Sequence, residues 1–268
     1  LLAPTYSLGT ASAPFMGQSN ALIAYVGSSE KGGDGTGDAS VFYTRYLTDE
    51  KWYGDFYHAT DRSTSRNLLD EGMFHGVQSD QSVIAAYAPR SLEGASGAKA
   101  VLVWSDADEA SEILVGGRPV GELPTQVAPG ESVAVAVGTA FFLVRPLTCI
   151  GLGPGDGVTL TERDGSLVLE LVQYRGPRKD FWELRWPGGF YQGKPLNAFY
   201  LETAEASDHE SLAAFARTVA DGELSERLDP PRTYDGMSTR MWEAEYRRGG
   251  CVDAMPIELY TWSLVTRW

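Results

Sequence analysis

One short stretch, WYGDFYHATDRSTSRNLLDEG at 52–72, concentrates the side chains that are best suited to chemistry. β-Elimination from a uronic acid sugar requires a group that neutralises the carboxylate, a base that removes the neighbouring proton and an acid that protonates the leaving oxygen. Arginine and asparagine meet the first need, and histidine and tyrosine meet the other two. The stretch therefore predicts a lyase site in which a histidine or tyrosine is the base or acid, and arginines and an asparagine hold the carboxylate. The predicted catalytic residues are His58, Tyr57, Arg62, Arg66 and Asn67.

Other interpretations of this stretch stay open. Its arginines can instead form ion pairs with neighbouring aspartates, as is common in polar surface loops. A metal site is less favoured, because His58 and His75 are far apart and no HExxH motif joins them. Glu243 and Glu245 share one face of a predicted strand, but a solvated surface is favoured there over a glycosidase pair. We therefore predict no metal and no cofactor.

Aromatic residues are concentrated in two parts of the chain. Of the 30 Phe, Trp and Tyr residues, fourteen lie in 41–57 and 181–200. A sugar ring has an apolar C–H face and a polar rim, and Tyr and Trp combine an apolar body with a polar tip. In FWELRW (181–186), alternation puts the two tryptophans on a buried face and the arginine on the other face, where it can border a cleft. The predicted substrate-binding residues are Trp52, Tyr53, Tyr43 and Arg185.

Most of the chain is predicted to form strands. Short runs rich in Val, Leu and aromatic residues recur between Gly, Pro, Asp and Ser. RDGS at 163–166 predicts a tight hairpin turn, because Asp-Gly tolerates the positive φ that such turns require. Many strands at short spacing indicate an all-β fold, a large antiparallel β-sandwich formed by a single domain over residues 1–268. The predicted strands cover 21–26, 40–47, 81–88, 99–104, 112–117, 132–137, 140–147, 157–162, 166–174, 181–186, 194–203, 239–247 and 257–268.

Two segments depart from the strand pattern. In SDHESLAAFARTVADGEL, apolar residues recur on one helical face, and Ser207 and Glu210 predict a capping box at its start. This segment predicts one amphipathic helix at about 208–220, docked on the sandwich. GSSEKGGDGTGDAS holds five glycines and few apolar anchors, so it predicts a mobile loop at 27–39 that borders the cleft.

The charge of the chain limits its partners. A formal net charge of -14 counts against nucleic acid, which selects basic surfaces, and against anionic membranes. It does not exclude an anionic substrate, because a local basic pocket can lie in an acidic shell. No apolar run reaches the ~20 residues that a membrane helix requires. The expected partner is therefore a polysaccharide or oligosaccharide. The sequence leaves open whether Cys149 and Cys251 are paired.

The segments TYSLGTASAPFMGQSNALIAYV and FYTRYLTDEKWYGDFYHATDRSTSRNLLDEG resemble the β-rich C-terminal part of bacterial heparinase II/III-like polysaccharide lyases. The resemblance covers mainly residues 5–90. In such proteins a helical toroid precedes a large antiparallel β-sandwich, and the substrate cleft lies between them. The resemblance implies a secreted or periplasmic protein, with a helical toroid domain of the same protein as a further partner. The opening LLAPTYS is then expected of a processed end or of a fragment of a longer chain.

The leading hypothesis is a polysaccharide lyase domain that cleaves a uronic acid-containing glycan by β-elimination. The alternatives are a non-catalytic glycan-binding β-sandwich, in which Trp52 and Tyr53 stack on sugars, and a purely structural domain. A lyase requires a groove with convergent His, Tyr and Arg side chains, whereas a binding module can use a flat aromatic patch.

Overall fold

The computed structural model describes most of the chain. The described residues are 1–10, 22–27, 40–49, 74–89, 92, 94–150, 157–178, 185–186, 190–191, 196–228, 232–234, 237–248 and 251–261. At 48, 185–186, 190–191, 232–234, 237–241 and 251–261, the backbone alone is described.

The described residues form an all-β antiparallel sandwich with one docked amphipathic helix, as the sequence predicts. Valine, leucine and aromatic residues dominate the long strands, because they pack well on a pleated, buried surface. The helix is α1 (Leu212–Ala220). The strands are β1 (Tyr6–Thr10), β2 (Leu22–Val26), β3 (Ser40–Thr48), β4 (Phe74–Ser79), β5 (Ser82–Tyr87), β6 (Gly97–Trp104), β7 (Ala110–Val115), β8 (Arg118–Pro119), β9 (Thr125–Val127), β10 (Val133–Val137), β11 (Ala140–Ile150), β12 (Gly157–Arg163), β13 (Ser166–Arg175), β14 (Arg185–Trp186), β15 (Phe190–Tyr191), β16 (Leu196–Glu205), β17 (Glu223–Leu228), β18 (Arg232–Tyr234), β19 (Met237–Arg248) and β20 (Cys251–Thr261).

Two seven-stranded sheets form the sandwich. The first sheet has the order β1-β2-β3-β6-β13-β12-β9, and the second has the order β4-β5-β16-β11-β10-β7-β8. The third sheet contains β19, which pairs with β17 and β18 along one edge and with β20 along the other. The strands β14 and β15 pair with each other. Among the described residues every strand pair is antiparallel, which is the pattern of a sandwich rather than of a βαβ fold.

The main core lies between the first and second sheets. Successive side chains of a strand face opposite sides, so alternate residues of each sheet point inward. Phe42 of the first sheet packs against Trp104 of the same sheet and Phe142 of the second, with ring centroids 5.1 and 5.3 Å apart. Burial of each such side chain contributes roughly 1.5–3 kcal/mol. The two sheets are therefore joined by direct aromatic packing.

A third layer covers the outer face of the second sheet. The helix α1 packs there through one apolar face, and β19 packs beside it. Phe215 of α1 contacts Phe141 with ring centroids 5.9 Å apart, and Tyr246 of β19 contacts Tyr200 at 4.5 Å. The residues that α1 and β19 bury against the second sheet are Leu212, Phe215, Val219, Trp242, Ala244 and Tyr246.

The helix begins later than predicted. A 3₁₀ turn occupies Ala206–Asp208, and the backbone at His209 is extended, with φ -134° and ψ 146°. Ser211 is the N-cap of α1, and its Oγ accepts a hydrogen bond from the backbone N–H of Ala214 at 3.1 Å. The capping box predicted at Ser207 is therefore wrong, because the extended residue interrupts the helix before it can form.

The hairpin predicted at 163–166 is confirmed. Arg163 pairs with Ser166 at the end of β12 and β13. Asp164 and Gly165 between them have φ values of 50° and 75°. Positive φ at both central residues is the geometry that Asp-Gly tolerates and that matches the twist of the flanking strands.

Two further expectations concern the glycine-rich segment and helices that could cross a membrane. Apart from Gly27, the glycine-rich segment at 27–39 lies outside the described residues, so its mobility stays a prediction. Among the residues that are described, no helix is long and apolar enough to cross a membrane.

Candidate functional site

Most of the predicted catalytic and binding residues lie outside the described part of the chain. The strand β3 ends at Thr48 and β4 begins at Phe74, and the predicted lyase residues belong to the segment between them. For Arg185, which belongs to β14, only the backbone is described. The roles assigned to these residues therefore stay predictions. The residues outside the description are Trp52, Tyr53, Tyr57, His58, Arg62, Arg66 and Asn67.

Tyr43 is described, and it lies on the outer face of the first sheet. Only 1% of its surface is exposed, and it belongs to a small apolar cluster with Val101 and Val168. The guanidinium of Arg45 lies 4.8 Å from the centroid of its ring. A ring that is covered in this way does not offer a face to a sugar. The structure thus shows a covered ring at this position, and the role of Tyr43 in substrate binding stays a prediction.

A polar groove lies beside this apolar cluster, on the same outer face of the first sheet. Its volume is about 410 Å³, which lies within the range of roughly 300–1,000 Å³ typical of small-molecule sites. We name it the β12–β13 groove, because these two strands contribute most of its lining. Its lining residues are Lys99 from β6, Gln126 from β9, Thr159, Thr161, Glu162 and Arg163 from β12, and Glu170, Val172 and Arg175 from β13.

Strand register brings the lining residues together. Gln126, Thr159 and Glu170 pair across β9, β12 and β13, so they form one row over the sheet. Lys99 and Val172 pair in the next row. Neighbouring strands are about 4.8 Å apart, so side chains in one row lie in contact range of each other. The Gln126 side-chain amide accordingly donates a hydrogen bond to Thr159 Oγ1 at 2.9 Å.

A β-bulge determines the direction of Arg175. The register between β13 and β6 shifts between Val172 and Tyr174. Regular alternation from Val172, which lines the groove, would turn Arg175 toward the core. Instead, Gln173 and Tyr174 are both buried, and Arg175 lines the groove. Bulges commonly redirect side chains next to functional sites, and this one adds a cation to the groove.

An ion pair occupies the middle of the groove. Lys99 Nζ lies 2.6 Å from Glu170 Oε1, and the two side chains are 6% and 14% exposed. Lys99 is the one charged residue of β6, and Glu170 has apolar neighbours on β13. Their mutual pairing offsets part of the cost of removing the two charges from water. Because both residues line the groove and are largely covered, they form its floor.

The groove differs in charge from the chain as a whole. Three of its lining side chains are cationic and two are acidic, whereas the whole chain has a net charge of -14. Arginine guanidinium groups match the geometry of carboxylates, and threonine and glutamine can exchange hydrogen bonds with hydroxyl groups. The lining residues include no histidine or tyrosine. The described groove is therefore equipped to bind a polar anionic ligand.

No family model matches the chain, and neither does any curated protein or solved structure. Its function is therefore inferred from its own residues and geometry.

A second polar cluster joins the second sheet to the third. Glu202 on β16 is 1% exposed, and it accepts hydrogen bonds from the hydroxyl of Tyr200 and the guanidinium of Arg248 on β19. Burial, together with the neighbouring carboxylate of Glu202, raises the pKa of Tyr200, so its hydroxyl remains a donor. The cluster lies between packed layers, and we interpret it as a structural link.

A third polar cluster crosses the core between the first and second sheets. The Tyr46 hydroxyl donates to Gln173 Oε1, and Gln173 Nε2 donates to the backbone carbonyl of Ile150 at 2.7 Å. Asn197 Nδ2 donates to the carbonyl of Leu171, also at 2.7 Å. These bonds fix the spacing of the two sheets at this end of the sandwich. Within the described ranges, no group of three or more His, Cys, Asp or Glu side chains is arranged to hold a metal ion.

The β12–β13 groove is absent from the sequence-based predictions, although a signal for it exists. Lys99 is the one charged residue in GAKAVLVW, and Glu170 lies between apolar residues in SLVLELVQYR, whose other charge is Arg175 at its end. A lone charge at a buried strand position predicts an opposite charge on a neighbouring strand. The pairing of β6 with β13, which brings the two together, involves residues about 70 positions apart, and a local pattern does not reveal it.

Proposed function

We propose that this chain is a carbohydrate-active β-sandwich that holds a uronate-containing glycan in the β12–β13 groove. One observation carries the proposal: a groove lined by three cations and two carboxylates, together with hydroxyl groups and an amide, lies on the surface of a strongly acidic chain. A glycan that carries both carboxylates and hydroxyl groups matches this combination. The mean effect of the acidic surface would be to repel polyanions, so attraction has to come from these local groups.

The chemistry of the groove favours a carboxylate over a neutral sugar. Arg175 is exposed and Arg163 is half-buried, so both guanidinium groups can be reached from solvent. A guanidinium can form two parallel hydrogen bonds with one carboxylate, which adds orientation to charge attraction. Along the β12–β13 hairpin, Thr159 and Thr161 lie between the positions of Arg163 and Arg175, and they offer hydroxyl groups to the sugar rim.

The test is calorimetric titration of the protein with polygalacturonate, alginate and hyaluronan. The control ligand is fully methyl-esterified polygalacturonate, which keeps the backbone and removes the charge. We expect at least one acidic polymer to bind, and we expect the binding to weaken as salt rises, because exposed charges are screened. Failure of all three acidic polymers to bind, or equal binding of the esterified control, would overturn the proposal.

A second candidate function is elimination by a polysaccharide lyase. It is supported by the composition of 52–67, where a histidine, tyrosines, arginines and an asparagine occur together. In this candidate the bound glycan is cleaved at a uronate, with His58 or Tyr57 as base or acid. Lyase activity would release unsaturated ends that absorb ultraviolet light through the new C=C bond.

The lyase candidate is tested by comparing His58→Ala with His209→Ala, since His209 lies in the segment before α1 and is remote in sequence from the predicted site. We expect loss of product formation in His58→Ala and full activity in His209→Ala. Glycan binding without product from any of the three polymers would leave the protein as a non-catalytic binding domain. Full activity in His58→Ala would remove His58 from the mechanism.

A further inference from the structure

We infer that Gln126 and Thr159 together bind two adjacent, free hydroxyl groups of one sugar ring, so that the β12–β13 groove selects a glycan whose ring hydroxyl groups are not acetylated. This inference rests on the proposed function and specifies which chemical form of the glycan binds. It depends on a hydrogen bond between these two uncharged side chains and on the glycine beside them.

A hydrogen bond between neighbouring strands fixes the side chain of Gln126. Its Nε2 donates to Thr159 Oγ1 at 2.9 Å, and the two residues pair in register across β9 and β12. The nitrogen and the oxygen of a carboxamide lie on separate branches of one planar group, so a bond through Nε2 turns Oε1 away from Thr159. Gln126 Oε1 is therefore an acceptor that is oriented before any ligand binds, which lowers the entropy cost of binding.

The same bond determines what the hydroxyl group of Thr159 can offer. A threonine hydroxyl has one proton to donate and two lone pairs that accept. Because one lone pair of Thr159 accepts from Gln126, the hydroxyl proton points away from that amide. The Gln126–Thr159 pair thus places one acceptor and one donor side by side. Adjacent ring hydroxyl groups can use both, because each of them is a donor and an acceptor.

Gly157 keeps the acceptor of this pair uncovered. A Cβ atom on Gly157 would lie 3.8 Å from Gln126 Oε1, at ordinary contact distance, so a side chain at this position would crowd the amide oxygen. The φ angle of Gly157 is 86°, a conformation that favours glycine over residues with a side chain. The backbone thus requires glycine at the position where the acceptor needs space.

Both side chains of the pair can be reached by a ligand, and an apolar side chain lies next to them. Gln126 is exposed and Thr159 is half-buried, and both line the groove together with Val172. Val172 pairs with Gly157, in the row next to the one that holds Thr159. A sugar ring has C–H groups on its face and hydroxyl groups at its rim. Its face can therefore contact Val172 while its rim contacts the Gln126–Thr159 pair.

Acetylation distinguishes this contact from charge attraction. The charged side chains of the groove act on the carboxylate of a uronate, and acetylation of ring hydroxyl groups leaves that carboxylate unchanged. An acetyl ester has no proton to donate, so Gln126 Oε1 loses its partner, and the ester also adds bulk at the contact. The uronate rings of polygalacturonate and alginate carry adjacent free hydroxyl groups at O2 and O3, so both polymers can satisfy the pair.

The test is calorimetric titration of the full chain with an acidic polymer that binds it, and with the same polymer acetylated at O2 and O3. We expect acetylation to weaken binding to the parent protein at least about fivefold. Gln126→Leu and Thr159→Val should each weaken binding of the free polymer and reduce the difference between its two forms. Thr159→Ser keeps the hydroxyl group and should behave like the parent. The matched control Thr218→Val removes a hydroxyl group from the exposed face of α1 and should change neither affinity.

The outcomes separate this inference from the proposed function. If the acidic polymer binds and acetylation leaves its affinity unchanged, the inference is wrong while the proposed function stands. If acetylation weakens binding equally in the parent, in Gln126→Leu and in Thr159→Val, the hydroxyl groups are bound elsewhere, and the inference is again wrong. If no acidic polymer binds the parent, both the inference and the proposed function are wrong.

Discussion

Two of the buried charges among the described residues, Lys99 and Glu202, each pair with an opposite charge on another strand. Lys99 of β6 pairs with Glu170 of β13 on the outer face of the first sheet. Glu202 of β16 pairs with Arg248 of β19, where the second and third sheets meet. A buried carboxylate without a partner would carry the full cost of its desolvation, so each pair stabilises the fold only while both members are present.

The Glu202 pair gives a prediction for two neighbouring arginines. Arg248→Met leaves Glu202, which is 1% exposed, without its cationic partner, and should lower the free energy of unfolding by about 3 kcal/mol. Arg247→Met removes an ion pair between a solvent-exposed arginine and Glu245, and should lower the free energy of unfolding much less than Arg248→Met, because water screens the exposed charge. Urea denaturation of the two variants checks this difference. Equal losses would show that the Glu202 pair contributes no more than a surface pair.

The thiol of Cys149 gives a prediction for how the stability of the fold depends on pH. Cys149 is exposed as a whole residue, yet its thiol group is largely removed from water, and this desolvation raises the pKa of the thiol to about 11, from its usual value of 9.0. Between these two values the unfolded chain has lost the thiol proton and the folded chain has kept it, so the contribution of Cys149 to stability falls as pH rises through this range. Below pH 9 the contribution is fully present.

Alkylation measures the same property, because the thiolate is the reacting species. In a Cys251→Ser variant, the reaction of Cys149 with iodoacetamide should reach half its maximal rate near pH 11 in the native protein. In urea the midpoint should move to about pH 9, the ordinary pKa of an exposed thiol. Coincident native and denatured profiles would contradict the burial of this thiol.

At the scale of elements, the sequence predicts those features that depend only on residues close together in the chain. The hairpin at 163–166 follows from the backbone preference of Asp-Gly, and most strands follow from their apolar runs. The start of α1 is predicted incorrectly, because both Ser207 and Ser211 are good caps by residue type. The choice between them depends on how Leu212 and Phe215 dock on the second sheet, which is a tertiary effect.

The two serines provide a direct prediction for the helix. Ser211→Ala removes the hydroxyl that accepts from the Ala214 N–H, and should lower the free energy of unfolding by about 1 kcal/mol. Ser207→Ala changes an exposed residue in the 3₁₀ turn, and should stay within about 0.5 kcal/mol of the parent. Thermal or urea denaturation of both variants checks the assignment. A larger loss for Ser207→Ala would restore the earlier helix start.

At the scale of the whole molecule, the sequence predicts the class of fold and not the location of the groove. The all-β sandwich follows from the number and spacing of strands. The β12–β13 groove depends on three features that only the folded chain has: the pairing of β6 with β13, the short edge strand β9, and the bulge that redirects Arg175. The site predicted in 52–67 lies outside the described residues. The comparison of His58→Ala with His209→Ala tests whether it takes part in catalysis.

Three layers give the groove a rigid base. The first sheet that carries it is packed on the second, and the second is covered in turn by α1 and the third sheet. Apart from the covered Lys99–Glu170 pair, polar side chains on the outer face of such a sheet can be replaced with little effect on the core, because they point away from it. The groove can therefore be blocked while the sandwich stays intact.

The central claim is that a uronate-containing glycan binds in the β12–β13 groove, and blocking the groove tests it most directly. Thr161→Trp places a bulky ring among the lining residues, whereas Thr218→Trp places the same ring on the exposed face of α1. With an acidic polymer that binds the parent protein, Thr161→Trp should weaken binding at least about tenfold, a loss of about 1.4 kcal/mol, while Thr218→Trp binds like the parent. Unchanged binding by a folded Thr161→Trp protein would contradict the account.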